Sequence, residues 1–315
     1  MDATIFLTTL SQMGYLFIFL LLGYVLTRLH LLPTSAATVL SKLENYIFIP
    51  ALVMGTFISN FTPARLGAAA PLLLGSLILA LVTIALSAVL VRFCSKDAYI
   101  RKIFLYGLSF SNFGFMGNAV VSSLFPEIFV EYILFTLVLW VLIYLWGVPS
   151  LLLDDGERKT VKERLRSFVN PMFICMLIGM LIGFVGIPLP AFLTSAVNTA
   201  GACMSPVAML LTGMTVAELP FKRILTDRGI YAVSTLRLVV YPLLFIGAVW
   251  LIPMNETFRV CALCSVAMPL GLNTIVIPKA YGKNTDTASG MALVSHIASC
   301  ITIPLIFLLY SLVSG

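Results

Sequence analysis

Apolar residues along this chain keep neither to one helix face nor to alternate strand positions. They continue all the way round for roughly 20 residues at a time, the helical length that crosses the ~30 Å hydrocarbon core of a bilayer. Ten such runs can be drawn, over about residues 4–28, 36–59, 67–92, 101–124, 128–153, 168–187, 190–217, 228–252, 258–280 and 287–313, and each predicts a membrane-spanning helix. The connections are mostly short and rich in turn residues, as at Leu32-Pro33-Thr34 and Phe125-Pro126-Glu127. The longest polar stretch, Asp154 to Ser167, falls at the centre of the chain. The first run has no basic flank ahead of it and no small-residue cleavage site, so it reads as a retained helix rather than a signal peptide.

Composition supports that reading. Hydrophobic residues make up 60% of the chain and charged ones 10%, against about 25% charged in soluble domains. The mean hydropathy is +1.07. A net charge of +6 would raise the question of a nucleic-acid partner, but the positions of the charges answer it in favour of membrane lipid. Lys and Arg crowd the connections after the odd-numbered runs: Arg28; Arg92, Lys96, Arg101 and Lys102; Arg158, Lys159, Lys162, Arg164 and Arg166; Lys222, Arg223 and Arg228; Lys279 and Lys283. The connections after the even-numbered runs hold only Arg65 and Arg259. Such asymmetry predicts that the odd connections face the cytoplasm of a cell membrane and that both termini face outward. The six cysteines are scattered through apolar runs without metal-ligand or redox spacing, and no cofactor or metal site is predicted.

The chain also repeats itself. Pro33 and Pro190, Pro50 and Pro206, and Asn112 and Pro269 occupy corresponding places one half-length apart. This divides the chain into a first five-helix unit at 1–153, a cytoplasmic linker at 154–167 and a second five-helix unit at 168–315. Units with an odd number of spans insert with opposite orientation. Inverted repeats of that kind characterise secondary transporters, whose sites lie at the repeat interface near the membrane midplane.

Two runs carry helix breakers and side-chain amides at matching depth. The fourth contains Ser111-Asn112-Phe113-Gly114-Phe115-Met116-Gly117-Asn118, and the ninth contains Ala267-Met268-Pro269-Leu270-Gly271-Leu272-Asn273-Thr274. Asn112 follows Lys102, and Pro269 follows Arg259, by about 15 Å of helix, which is mid-bilayer. Backbone groups freed at that depth are tolerated only against protein or a water-filled cavity. A half-helix beginning there would aim free N–H groups at an anion. The candidate substrate-binding residues are therefore Asn112, Gly114, Gly117, Asn118, Pro269, Gly271, Asn273 and Thr274. Pro50 and Pro206 predict breaks in the second and seventh runs.

Several of these residues carry a family resemblance. Ile49-Pro50-Ala51-Leu52, Ser111-Asn112-Phe113-Gly114-Phe115-Met116-Gly117, Asn170-Pro171, Ser205-Pro206-Val207-Ala208-Met209-Leu210-Leu211, Ala267-Met268-Pro269-Leu270-Gly271-Leu272-Asn273 and Ser299-Cys300-Ile301-Thr302-Ile303-Pro304 occur in an order that resembles bacterial members of the auxin efflux carrier family. Asn118 stands where those relatives usually have Pro. The resemblance implies an all-α membrane fold like that of the bile-acid sodium symporters, with ten helices in two inverted five-helix repeats and a crossover of broken helices 4 and 9. It implies a scaffold of helices 1, 2, 6 and 7, often a homodimer in relatives, and a transport domain of helices 3–5 and 8–10. It also implies a small organic anion as substrate, a carboxylate such as malate, malonate or an auxin-like acid.

Three further polar residues lie inside apolar runs. Arg237, nine residues past Arg228, is a cation that must pair or serve a pathway. It is a candidate for a substrate carboxylate, with Glu44 as an alternative partner. Glu44 and His296 are candidate proton carriers. A sodium-coupled symporter of the bile-acid type should show carboxylates at the crossover, and runs 4 and 9 have none at their breaks. An intramembrane enzyme needs a Ser/His or paired-Asp arrangement, yet the only histidines are His30 and His296.

Overall fold

The computed structural model describes residues 2–33, 35–153, 171–218, 226–252 and 254–314. The predicted linker at 154–167 with its five basic residues, Asn170, Lys222 and Arg223 lie outside the described residues. Among the described residues the chain is all helical, with one isolated β-bridge and no strand. We number the helices α1 (Asp2–Arg28), α2 (Ala36–Asn60), α3 (Ala70–Cys94), α4 (Ala98–Ser109), α5 (Asn118–Leu124), α6 (Pro126–Leu152), α7 (Pro171–Val185), α8 (Ala191–Glu218), α9 (Arg228–Val249), α10 (Glu256–Ala267), α11 (Asn273–Ala280) and α12 (Asp286–Ser314). Six of them, α2, α3, α6, α8, α9 and α12, are long and apolar enough to cross a membrane, and α7 is a shorter apolar helix.

Large apolar side chains are exposed in long stripes, such as Leu74, Ile78, Leu81 and Val89 on α3 and Leu177, Leu181 and Phe184 on α7. Water does not tolerate contiguous patches of that size; lipid tails do. Two sets of pairings stand out, joined where α12 meets α1 and α8 and where α11 meets α2. α1 lies along α8, and the second half of α2 packs against both α7 and α8, while α3, α4 and α6 pack together with α9, α10 and α12.

Small residues let the first group approach backbone to backbone, as membrane helices do. A Cβ at Gly23 of α1 would collide with the Leu210 carbonyl of α8, and one at Gly213 of α8 with the Leu20 carbonyl of α1. Gly179 and Gly183 of α7 do the same against α2: added Cβ atoms would stand 2.7 Å from the Met54 carbonyl oxygen and 2.6 Å from that of Phe57. The Gly-x-x-x-Gly spacing of α7 therefore serves packing inside one chain. Gly213→Ala is expected to destabilise the folded protein by about 1–3 kcal/mol, the usual cost of overpacking. Gly14→Ala, where an added Cβ meets nothing within 4 Å, should melt like the parent. Melting in detergent, followed by tryptophan fluorescence, compares the two.

The expected breaks at Pro50 and Pro206 are absent: α2 and α8 run through both prolines. At Pro50 the chain widens first into a π turn, Glu44–Phe48. Similar turns precede Pro242 (Leu236–Val240) and enclose Pro149 (Ile143–Leu152). Proline has no N–H and crowds the carbonyl four residues back. A turn one residue wider accommodates it without ending the helix.

Candidate functional site

The fourth and ninth apolar runs are interrupted where their breakers stand. α4 ends at Ser109, and Phe110 is extended (φ −123, ψ 107). The chain resumes in a π turn at Phe113–Gly117 that leads into α5. α10 ends at Ala267, Met268 is extended (φ −70, ψ 150), and α11 starts at Asn273. The two interruptions lie side by side in an antiparallel bridge between Ser111 and Leu270. The backbone N–H of Asn112 donates to the Pro269 carbonyl at 2.8 Å, and the Ser111 hydroxyl donates to the Ser265 carbonyl at 2.7 Å. Gly271 permits the contact, since a Cβ there would stand 3.0 Å from the Phe110 carbonyl oxygen.

The bridge brings four helix ends together. The π turn and α11 both begin here, and a helix N-terminus carries a partial positive charge of up to about half an elementary charge; at α11 the Thr274 and Ile275 N–H groups are taken by the Gly271 and Leu272 carbonyls. Between the two N-terminal ends is a narrow cavity lined by Ser111 to Gly114, Gly271 to Asn273, Tyr106, Trp140 and Ile143, with space for about one water molecule. Asn112 is 2% exposed and its side-chain Nδ2 meets His296 Nε2 at 3.0 Å, leaving Oδ1 buried without a partner among the described residues. Asn273 Nδ2 donates to the Tyr106 hydroxyl at 3.0 Å, and its Oδ1 is likewise buried with no partner among those residues. Two carboxamides thus face one small space, each with hydrogen-bonding capacity unused.

The other expected residues surround this pair. Thr274 turns its hydroxyl back onto the Gly271 carbonyl at 2.8 Å and closes the first turn of α11. Gly114 and Gly117 make room for aromatic neighbours, because a Cβ at the first would strike the Trp140 ring and at the second the Tyr132 hydroxyl. That hydroxyl donates to the Phe113 carbonyl at 3.1 Å. Asn118 is the first residue of α5, with its Oδ1 buried and without a partner among the described residues.

Arg237 reaches the crossing from the other side, where the C-terminal ends of α4 and α10 meet. Its Nη1 donates to the Leu108 carbonyl at 2.9 Å, Nη2 to Ser265 at 2.8 Å and Nε to Met268 at 3.2 Å. It lines a second small cavity with Ser76, Thr83, Ser109, Ser111 and Ser265 rather than the one between Asn112 and Asn273. Two helix C-termini carry about one negative charge between them, which a guanidinium offsets. Glu44 does not pair with it. Glu44 lies in the π turn of α2, packed against α8 and α11, and both its carboxyl oxygens are buried with no partner among the described residues. Those residues also hold no cluster of His, Cys, Asp or Glu suited to a metal ion.

Tyr106 and Trp140 join the site without having been expected there. Trp140 is 3% exposed, stacks on Tyr144 and meets Phe113 edge-on at 5.1 Å. A polar-tipped Tyr six residues ahead of Asn112 in an apolar run is the signal that points to the first.

The sequence model of one protein family, described as membrane transport protein, matches residues 8–307. A comparison with curated proteins found no match.

Proposed function

This chain belongs to the membrane transport protein family of the auxin efflux carriers, and from that premise we propose that it is a carrier for a small organic anion, a carboxylate, working by alternating access. The observation that supports the reading is the convergence of two half-helix N-termini with Asn112 and Asn273 on one cavity. Together the two ends supply up to about one positive charge, the complement of a single carboxylate. The cavity is too small for the whole solute, so binding requires the group of α3–α6 and α9–α12 to move against that of α1, α2, α7 and α8. On this reading the ten apolar runs are ten spans in two inverted repeats, with both termini outside the cell.

The rival is sodium-coupled symport. A cation bound behind the crossing would need the carbonyls of Leu108, Ser265 and Met268, which already hold the Arg237 guanidinium, and it would sit against a like charge. That favours a carrier independent of Na⁺.

Purified protein screened by thermal shift against malate, malonate and an aromatic monocarboxylate tests the proposal. A ligand at 100 times its Kd stabilises the folded state by about 2.7 kcal/mol. At least one carboxylate should raise the melting temperature and enter proteoliposomes equally well in sodium and in choline medium. Absence of both shift and uptake for every acid would reject the carrier reading. Uptake that needs a sodium gradient would favour the rival.

A further inference from the structure

The Asn112–His296 hydrogen bond has a direction, and a third atom sets it. The Ala292 carbonyl, 2.8 Å from His296 Nδ1, can only accept, so Nδ1 carries the proton of the neutral ring. Nε2 is then an acceptor, and it takes an N–H from Asn112 Nδ2 at 3.0 Å. Asn112, which helps to line the cavity, is thereby held with Oδ1 as the amide atom that has no partner among the described residues. A carbonyl oxygen in that position opposes a carboxylate.

Protonation of His296 reverses the arrangement. An imidazolium donates from both nitrogens, so Nε2–H needs an acceptor, and the atom of Asn112 that can serve is Oδ1. A half-turn of the carboxamide supplies it and swings Nδ2, with its N–H groups, to where Oδ1 stood. We propose that Asn112 and His296 form a proton-coupled switch: His296 takes up a proton from water as the anion arrives, and the turned Asn112 amide donates to the anion. Each buried charge alone is costly, and the two together offset one another. The identity of the anion rests on the carrier reading; the switch rests on the geometry of the pair.

Among the described residues, nothing acidic competes for this role beside the ring. The carboxylates on helices packed against α12, namely Asp2 of α1, Glu218 of α8 and Glu256 of α10, stand at helix ends, as does Asp286 of α12 itself. Further along, α9 carries Arg228, Tyr231, Arg237 and Tyr241, α10 Arg259, Cys261 and Cys264, α8 Cys203, α1 Tyr15, Tyr24 and Arg28, α11 Lys279 in its last turn, and α12 Cys300 and Tyr310. The ring nitrogens themselves meet the Ala292 carbonyl and the Asn112 amide.

Calorimetry of malonate binding in buffers of different ionisation enthalpy reads the proton directly. With malonate fully ionised, the parent protein should take up about one proton per anion and lose about tenfold in affinity per pH unit of increase. His296→Gln, whose amide oxygen can accept from Asn112 but cannot protonate, should bind with no proton uptake. No uptake by the parent, or equal uptake by the variant, overturns the proposal. Nitrogen-15 spectra need neither the His296 variant nor a ligand. With His30→Gln as background, one imidazole remains, and on acidification its conversion to imidazolium should shift the Asn112 side-chain amide signals. Amide signals that stay put overturn the switch even where anions are carried. If the signals shift and no carboxylate binds, the carrier reading fails and the switch stands.

Discussion

Alanine at Asn112 or at Asn273 is expected to reduce carboxylate uptake by reconstituted protein roughly 10- to 100-fold, since a hydrogen bond to a charged group contributes about 1.5–3 kcal/mol. The two carboxamides are the only side-chain amides among the residues lining the cavity between the breaks. Each Nδ2 meets one partner and has a second N–H to give, so neither amide is fully committed to holding the fold. Asn112→Ala also removes the donor to His296, and Asn273→Ala removes the donor to the Tyr106 hydroxyl. Tyr106→Phe separates these effects: it leaves Asn273 in place but deprives its Nδ2 of a partner, and it should cost less than Asn273→Ala. Initial rates in proteoliposomes are the measurement, with gel filtration and melting as the check on folding. Parental rates in both alanine variants would remove the site from consideration.

Valine at Gly271 should be more damaging to the whole protein. A Cβ already falls 3.0 Å from the Phe110 carbonyl and 3.3 Å from that of Ser111, and these neighbours are backbone, which cannot rotate away. Relief requires the two extended segments to separate, which breaks the Asn112 N–H to Pro269 bond and the Ser111–Leu270 bridge. It would also pull the Leu108, Ser265 and Met268 carbonyls away from Arg237. The overpacking alone costs about 1–3 kcal/mol, and each buried polar group left unpaired adds about as much. The variant should melt well below the parent and transport nothing. A Gly271→Val protein with parental melting and uptake would show that the crossing is not held as tightly as these distances imply.

Several features of the fold are legible in the order of residues alone. Uninterrupted apolar runs can be stable only as helices among apolar surroundings, because every backbone polar group must then be satisfied within its own segment. Breakers fix where two helices stop, since Pro269 lacks an N–H and Gly114, Gly117 and Gly271 tolerate backbones and rings that a Cβ would displace. The same logic overreaches at Pro50 and Pro206, where it predicts breaks that do not occur. A proline in a helix has a second outcome, a wider turn or a continuous run, and which one occurs depends on what the neighbouring helices press against it.

Arg237 illustrates the complementary gap. Depth along a helix shows that the cation needs compensation, but not from what. Its partners, the Leu108, Ser265 and Met268 carbonyls, come from two other helices, as many as 129 positions away in the chain. The pairing of Asn112 with His296, 184 positions apart, and the entry of Trp140 into the cavity wall are equally out of reach of sequence. Periodicity states which residues share a face only while a helix is regular, and at a break that information ends. Lipid exposure, helix identity and the location of the interruptions were thus determined locally, by hydrophobicity and backbone chemistry. Which buried polar groups meet across the interruptions was decided by the packing of helices distant in sequence, because short-range hydrogen bonds form only once that packing has brought their atoms within about 3 Å.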